Sequence, residues 1–273
     1  KKTDALHLLA VTAFPQDGSG CSPTASGDVV FTDRDLTVGQ VTYFSGFCMK
    51  DLIPKYTQIL LRAGNGETED MAFEAEVAES IIKTIMEHNE VADWQGNTAS
   101  SDVYINRYDG LIKIIDAATT AVDGNTTSAT AISSGASGNV DTLITDICNA
   151  RPAKVKSAPN QVLFVGQDTF DKYVDTLNAK NLYHVNATDW ANYTVSIPGK
   201  NVTLVGVVGL DGTNRMFLGT QENFFLGFDL QNDEEEFDMW YEKKDDKVYY
   251  RVKFKRGLQV AYPNEIVEFT LAT

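Results

Sequence analysis

A long alternating segment near the carboxyl end of the chain constrains the fold more than any other part of the sequence. Apolar and polar residues alternate through 237–242 and again through 247–255, with a turn at Asp245 and Asp246 between them. One face of the second run carries the apolar side chains of Val248, Tyr250, Val252 and Phe254. The pattern predicts two antiparallel strands, the second roughly 30 Å long. Strands this long, with charged outer faces, are more typical of a structural subunit than of an enzyme.

The charge of the chain argues against two classes of direct partner. The 273 residues include 23 basic and 38 acidic side chains, which gives a net charge of −15. Binding to DNA phosphates or to anionic membranes requires clustered lysine and arginine, so we expect neither as a direct ligand. With 43% hydrophobic residues, the chain has enough apolar surface for one large core or two smaller ones.

The cysteines and the amino-terminal segment indicate the compartment. Three widely spaced cysteines, at 21, 48 and 148, are typical of reduced thiols in a cytosolic environment and not of a disulfide framework. No apolar run reaches the length of a membrane-spanning helix. The opening KKTDALHLLAVTAF lacks the long apolar core of a secretion signal, so we expect neither a membrane span nor export.

One long helix is predicted between residues 68 and 95. Its apolar stripe recurs at spacings of three and four residues and consists of Phe73, Val77, Ile81, Ile85 and His88. Acidic residues at 67, 69 and 70 fall in the first turn, where carboxylates complement the helix dipole. Gly96 is predicted to end the helix as a left-handed terminator. The helix would be roughly 40 Å long.

A low-complexity segment divides the chain into two parts. Residues 117–139 are almost entirely small or polar, and a structureless loop of this length is unusual inside one compact domain. We therefore predict a domain boundary there. The pattern beyond it predicts a helix over 139–150, a strand over 161–165, a helix over 167–177 and strands within 201–209 and 215–228.

The sequence lacks the motifs of nucleotide-binding proteins and common hydrolases. The glycines at 64 and 66 precede acidic residues that would repel phosphate, and the glycines between 206 and 212 lack dinucleotide-binding spacing. The nucleophile elbow of hydrolases is also absent. We predict no catalytic residue and no cofactor.

The candidate metal ligands favour a packing role. His88 and Glu90 match the first half of a zinc-deaminase motif, but the cysteine pair that completes it is missing, so we interpret His88 as a packed or interface histidine. His7 and His184 lack neighbours at metal-ligand spacing. The acidic residues within 229–238 lack EF-hand spacing, which favours a solvated turn over a calcium site. We predict no metal site.

The order of these elements resembles that of the major capsid proteins of tailed double-stranded DNA bacteriophages, which have the Johnson fold. The resemblance covers essentially the whole chain. Its most specific segments are the helix exit Trp94-Gln95-Gly96-Asn97, the segment Tyr108-Asp109-Gly110-Leu111 and the ending RGLQVAYPNEIV over 256–267.

The resemblance implies an α+β fold with four parts. Residues 1–28 would form an N-terminal arm, and 29–62 an extended loop that lies over a neighbouring subunit. Residues 63–133 and 231–273 would form a peripheral domain that contains the spine helix. Residues 134–230 would form an axial domain gathered around a hexamer or pentamer axis.

The resemblance also implies a function. The chain would be a non-enzymatic subunit that self-assembles as hexamers and pentamers into the icosahedral head, in the host cytoplasm, and stays in the virion. Portal, scaffold, prohead protease and decoration proteins would be its other partners, with packaged DNA as non-specific cargo and no membrane partner. In such proteins a prohead protease often removes an N-terminal scaffolding segment, which would account for a chain that begins at Lys1.

We predict inter-subunit contacts at two places. They are Arg34, Asp35 and Leu36 in the extended loop, and Lys243, Lys244, Asp245 and Asp246 at the terminal hairpin turn. Two alternative functions remain open at this point. An encapsulin-type compartment shares the fold but encloses enzymes, and a soluble two-domain hydrolase would use residues near 117–139.

Overall fold

A computed structural model of the chain describes residues 3–14, 27–48, 73–182, 192–228, 236–245 and 247–272. Within those ranges no helix has the length and apolar character needed to cross a membrane.

The first two strands form a long antiparallel hairpin. β1 (Thr3–Ala13) pairs along its whole length with β2 (Gly27–Thr37), and each strand of 11 residues is roughly 37 Å long. β2 begins at Gly27, so it crosses the boundary predicted between residues 28 and 29. The predicted arm and the predicted extended loop therefore contribute one strand each to a single hairpin.

A second sheet is built on the longest strand, β11 (Lys247–Val260). β11 lies between β10 (Glu236–Glu242) and β3 (Gly39–Phe47) and is antiparallel to both, while β9 (Phe224–Gly227) pairs with its far end. The predicted terminal hairpin is confirmed. With 14 residues, β11 spans roughly 48 Å, well beyond the predicted length.

β3 lies within residues 29–62, whose assignment as an extended loop stays a prediction. β3 is hydrogen-bonded inside the second sheet, and Val38 and Val41 are each 6% exposed. The reason is that Val41 and Tyr43 lie on the same face as the apolar side chains of β11, where a helix covers them.

That helix is α1 (Phe73–Gln95), which ends at the predicted residue. The predicted start at residue 68 lies outside the described residues. Ile85 and Ala92 of α1 pack with Val252 and Phe254 of β11 in one apolar cluster, which confirms the predicted apolar face of the strand. With 23 described residues, α1 is roughly 35 Å long.

A partly buried polar contact fixes the end of α1 to β11. Arg256 donates from Nε and Nη2 to the two carboxylate oxygens of Asp93, at 2.8 and 2.6 Å, and the hydroxyl of Tyr108 donates to Asp93 Oδ1 at 2.8 Å. Burial raises the pKa of Tyr108, and the Asp93 carboxylate raises it further, so the phenol keeps its proton and its role as a donor.

The third sheet has six strands in the order β4-β12-β8-β5-β7-β6. The strands are β4 (Val122–Asp123), β5 (Gln161–Gly166), β6 (Thr194–Ser196), β7 (Thr203–Val207), β8 (Met216–Thr220) and β12 (Val267–Phe269). β5 and β7 are parallel, as are β4 and β12, and the remaining neighbours are antiparallel. The third sheet therefore brings β4, near the start of the region that follows α1, together with β12, near the carboxyl end of the chain.

The described residues contain four further α-helices. They are α2 (Leu111–Ala118), α3 (Val140–Ala150), α4 (Ala153–Lys156) and α5 (Gln167–Ala179). The elements predicted over 139–150, 161–165 and 167–177 are confirmed. The predicted apolar side of α3, made by Val140, Leu143, Ile144 and Ile147, is fully buried.

The low-complexity segment 117–139 is held in place and is not an open linker. It contains β4, and Asn125 is buried beside that strand. Asn125 Nδ2 donates to the carbonyls of Ala129 and Thr270 at 3.1 and 2.9 Å, and its Oδ1 accepts from the Ala129 N–H at 2.7 Å. Asparagine side chains here satisfy backbone groups that a sheet or helix would otherwise satisfy.

The division into peripheral and axial domains stays a prediction. β4 and β12 belong to the third sheet, although both lie outside residues 134–230. The sheet built mainly from the proposed axial residues is thus continuous with strands on either side of them.

Trp94 connects α1 to the third sheet. Its buried ring lies beside those of Phe164 and Phe217, with centroids 5.2 and 5.9 Å away. Because the smaller benzyl group fills only part of this space, we expect Trp94→Phe to lower the free energy of unfolding by about 1–2 kcal/mol. Urea denaturation measures this, with the exposed Val103→Ala as a control that should stay within about 0.5 kcal/mol. An unchanged midpoint for Trp94→Phe would contradict this placement.

Candidate interaction surfaces

The described residues offer little for catalysis. No group of three or more His, Cys, Asp or Glu side chains among them could hold a metal ion. His88 lies between the rings of Tyr43 and Tyr104, with centroids 6.4 and 5.2 Å away, which confirms its interpretation as a packed histidine. His184 and the acidic residues 229–235 lie outside the described ranges. His7 Nδ1 lies 2.6 Å from Asp33 Oδ1 on the surface of the β1–β2 hairpin.

A cleft of about 590 Å³ opens where β2 meets β3, beside residues 107–109 and β11. Its charged side chains are of both signs and include Asp35, Arg107, Asp109 and Lys255. Asp109 accepts from Lys113 Nζ at 2.7 Å and from the Thr98 N–H at 2.8 Å, so contacts within the chain occupy it. The described lining residues include the hydroxyls of Thr37, Thr98 and Tyr108 but no cysteine and no histidine, so no imidazole base among them is available to activate a nucleophile.

The outer half of the β1–β2 hairpin carries four large apolar side chains on one face. This hairpin apolar face consists of Leu9, Val11, Val29 and Phe31. Leu9 lies opposite Phe31 and Val11 opposite Val29, and their exposed fractions range from 49% at Leu9 to 73% at Phe31. A two-stranded hairpin is only marginally stable alone in water, and contiguous exposed apolar side chains mark an interaction surface. The hairpin apolar face is therefore a candidate contact with another molecule.

The base of the same hairpin is fixed to β11 of its own chain. Gln259 Nε2 donates to the Asp35 carbonyl at 2.6 Å, and Gln259 Oε1 accepts from Arg34 Nη2 at 3.4 Å. Leu36 packs so closely against Gly227 that a Cβ there would lie 2.5 Å from Leu36 Cδ2. Burial lowers the pKa of Arg34. Arg34 and Leu36 thus make contacts within the subunit, which leaves the exposed Asp35 side chain the most accessible of the three predicted contact residues.

The second sheet has an aromatic face on the side away from α1. This aromatic face consists of Phe44, Trp240 and Tyr249, whose near-parallel rings have centroids 5.6 to 6.1 Å apart. Phe44 is 60% exposed and Trp240 is 37% exposed. Arg251 continues the same face, donating to Asp238 at 2.8 Å with its guanidinium 5.7 Å from the Trp240 ring centre. Aromatic and arginine side chains are enriched in the energetically important parts of protein interfaces.

The predicted contact residues of the terminal turn lie at the other end of β11. Lys243, Lys244 and Asp245 are exposed, and Asp246 lies outside the described residues. The Tyr249 hydroxyl donates to Asp245 Oδ2 at 3.0 Å, and this hydrogen bond raises the pKa of Tyr249.

The structure does not bring the two predicted contact groups together. Arg34 lies beside Gln259, whereas the turn precedes Lys247, and the intervening length of β11 is roughly 40 Å. The inter-subunit role of both groups stays a prediction.

Neither of these two exposed surfaces was predicted from the sequence. The alternation at Val29 and Phe31 could have indicated the hairpin apolar face. Phe44, Trp240 and Tyr249 come from three different strands, so only the sheet register places them together.

Neither a protein-family model nor a curated protein matches the sequence. Solved structures do match over nearly the whole chain. The procapsid of satellite phage P4, which includes the size determination protein, matches with a TM-score of 0.63 and 13% identity, covering 98% of this chain and 82% of that chain. The capsid of Myoviridae phage XM1 matches with a TM-score of 0.61 and 13% identity, covering 99% of this chain and 86% of that chain. The capsid of a native GTA particle matches with a TM-score of 0.59 and 10% identity, covering 100% of this chain and 86% of that chain. The predicted α+β Johnson fold is confirmed.

Proposed function

We propose that the chain is the major capsid protein of a tailed bacteriophage, a structural subunit that self-assembles into the icosahedral head around double-stranded DNA. The observation that carries this proposal is the likeness to capsid structures over 98% or more of the chain, which includes the two long β-structures as well as α1. The exposed hairpin apolar face supports it, because a surface of this kind is stable when a neighbouring molecule covers it.

The proposal includes partners, location and domain roles. Copies of the same chain would form hexamers and pentamers, with portal, scaffold, prohead protease and decoration proteins as further partners in the head. The net charge of −15 suits a shell that contains DNA as non-specific cargo without binding it tightly. The protein would assemble in the host cytoplasm, act without catalysis and remain in the virion. No observation favours the encapsulin-type shell or the hydrolase.

Sedimentation and electron microscopy of the purified protein test the proposal. The expected result is shells or rings with fivefold and sixfold symmetry, and DNA inside particles recovered from infected cells. A persistent monomer under every buffer condition, including co-expression with the other head proteins, would overturn it. Particles that contain enzymes instead of a genome would support the encapsulin-type shell instead of the phage head.

Phe31→Asp tests whether the hairpin apolar face belongs to the assembly surface. Phe31 is 73% exposed in the single chain, so the substitution should leave circular dichroism and the melting temperature of the subunit unchanged. Each subunit contact would lose the burial of one phenylalanine, about 2 kcal/mol, and would acquire an unpaired carboxylate. We therefore expect particles to disappear at concentrations where the wild-type chain assembles.

The matched control for this variant is Thr32→Asp. Thr32 is the next residue of β2 and points to the opposite face of the hairpin. It should reduce particle yield far less than Phe31→Asp. Equal losses from both variants would mean that the added charge, and not the apolar face, impairs assembly.

A further inference from the structure

We propose that Arg215 and three carboxyl groups beside it form a junction that takes up a proton and holds α2, β4 and β12 together more tightly as the pH falls from neutral. The three carboxyl groups belong to Asp116, Asp123 and Glu268, and with Arg215 they make up the Arg215 cluster. The inference goes beyond the proposed assembly and does not depend on it.

The Arg215 cluster joins four segments that are far apart in the sequence. Asp116 lies on α2, Asp123 on β4 and Glu268 on β12, while Arg215 comes directly before β8. Arg215 donates from Nη2 to Asp116 Oδ1 at 2.5 Å and to Glu268 Oε2 at 3.3 Å, and from Nη1 to Asp116 Oδ2 at 3.3 Å. Arg215 belongs to residues 134–230, the predicted axial domain, whereas the three carboxyl groups belong to the predicted peripheral domain. The cluster thus links the two parts of the chain that are predicted to be domains.

The cluster carries more negative than positive charge. The parallel pairing of β4 and β12 places Asp123 directly opposite Glu268, and like charges in this arrangement repel each other. Arg215 is the cation that the described residues bring to the cluster, because Lys113 of α2 is paired with a different carboxylate, 2.7 Å from its Nζ. With all three carboxyl groups ionised, including Asp116, three negative charges would face one positive charge. Uptake of one proton relieves part of this repulsion.

Glu268 is the group that takes up the proton. Its side chain is 26% exposed, and that of Arg215 is 15% exposed. Burial raises the pKa of Glu268; Arg215 lowers it, and the charges of Asp116 and Asp123 raise it again. A hydrogen bond between the carboxyl groups of Glu268 and Asp116 also raises this pKa, since protonated Glu268 can donate where two carboxylates would repel.

The direction of the pH dependence follows from the raised pKa of Glu268. A carboxyl group whose pKa is higher in the folded than in the unfolded chain stabilises the fold when it is protonated. This contribution is complete below the ordinary glutamate pKa of about 4.3 and is lost as the pH rises through the raised value. Between those two values, the unfolding equilibrium constant should increase by up to about tenfold for each pH unit.

Urea denaturation of the full chain from about pH 5 to about pH 8 tests the inference, with Glu268→Gln as the variant. The glutamine amide is neutral and can donate to Asp116, so it reproduces the protonated side chain at every pH. We expect the urea midpoint of Glu268→Gln, relative to the wild type, to shift upward as the pH rises and then to level off. Comparing the two chains at each pH cancels the titration of the three histidines and of the other carboxyl groups.

Two further variants make the test specific. Asp123 Oδ1 accepts from the Asn125 N–H at 2.8 Å, and an asparagine can do the same, so Asp123→Asn removes a charge and keeps this backbone contact. The midpoint difference between Glu268 and Gln at position 268 should be smaller in the Asp123→Asn background. Glu222→Gln is the matched control: Glu222 is exposed and lies outside the cluster, so this variant should follow the wild type at every pH.

A midpoint difference that stays constant with pH, or that grows towards acid, would overturn the inference. If Glu268→Gln does not fold, Asp123→Asn alone decides: its midpoint should rise above that of the wild type increasingly with pH, and a constant difference would count against the junction. In assembled particles the corresponding measurement is hydrogen exchange at β4, where the Gly124 N–H donates to the Glu268 carbonyl at 2.7 Å. There Glu268→Gln should slow exchange relative to the wild type at about pH 8 and not at about pH 5. None of these outcomes depends on whether the chain forms a capsid, so failure of the inference leaves the proposed function standing.

Discussion

Val252→Asp is expected to leave no folded, soluble protein. Val252 lies near the middle of β11, is 3% exposed and packs in the cluster that contains Val41 and Ile85. An aspartate there would bury a carboxylate without a partner or would force the strand away from α1. The cost of several kcal/mol is comparable with the total stability of a typical domain, about 5–15 kcal/mol.

The measurement is the soluble fraction after expression, followed by circular dichroism of any protein recovered. Thr42→Asp is the matched control, because Thr42 lies opposite Lys253 on the exposed face of the same sheet. It places the same charge on the neighbouring strand, beside a lysine, and should leave solubility unchanged. Wild-type yield and melting temperature for Val252→Asp would mean that the apolar face of β11 is not the buried one.

The sequence indicated β11 well because one of its faces is buried and the other is not. A period of two then specifies both the strand and the direction of its side chains. The same argument explains the success with α3, whose four predicted apolar residues are all in the core. In both elements the tertiary environment follows directly from the local pattern.

The β1–β2 hairpin lacked this signal. Neither face of its outer half is buried, so the alternation of residue types specifies its pairing only weakly. The pairing of β3 could not be predicted for a different reason: its partner β11 follows more than 200 residues later in the chain, and no local pattern shows such a pairing. The aromatic face depends on that same long-range register, so it could not be derived from the sequence.

Gly96 shows how a correct residue can be predicted for the wrong reason. Gly96 is predicted as a left-handed helix terminator, but it is absent from the glycines with positive φ in the described chain. Glycine is needed there because two backbone segments approach each other closely. The Gly96 N–H donates to the Ala92 carbonyl at 2.9 Å, and its own carbonyl accepts from the Gly110 N–H at 2.8 Å. Only a residue without Cβ allows this contact.

Gly96→Ala should therefore lower the free energy of unfolding by about 3 kcal/mol or more, since overpacking against rigid atoms forces backbone shifts. The added Cβ would lie 2.4 Å from the Ala92 carbonyl oxygen, 2.7 Å from the Tyr108 carbonyl oxygen and 2.8 Å from the Gly110 nitrogen. Urea denaturation of the subunit measures the loss. Gly199→Ala is the control: nothing lies within 4 Å of its Cβ, and its φ of +71° costs about 1–2 kcal/mol on its own.

Gly110→Ala provides the decisive comparison, because its Cβ would lie 2.5 Å from the Gly96 nitrogen and would disrupt the same approach from the other side. Substitutions that break one shared contact are not additive. Once either alanine has pushed the two segments apart, the Cβ of the second alanine overlaps less with the opposite backbone. We therefore expect the double variant to lose clearly less stability than the sum of the two single losses. Full additivity would mean that each glycine meets a separate constraint, and the close approach at the exit of α1 would not be the reason for both.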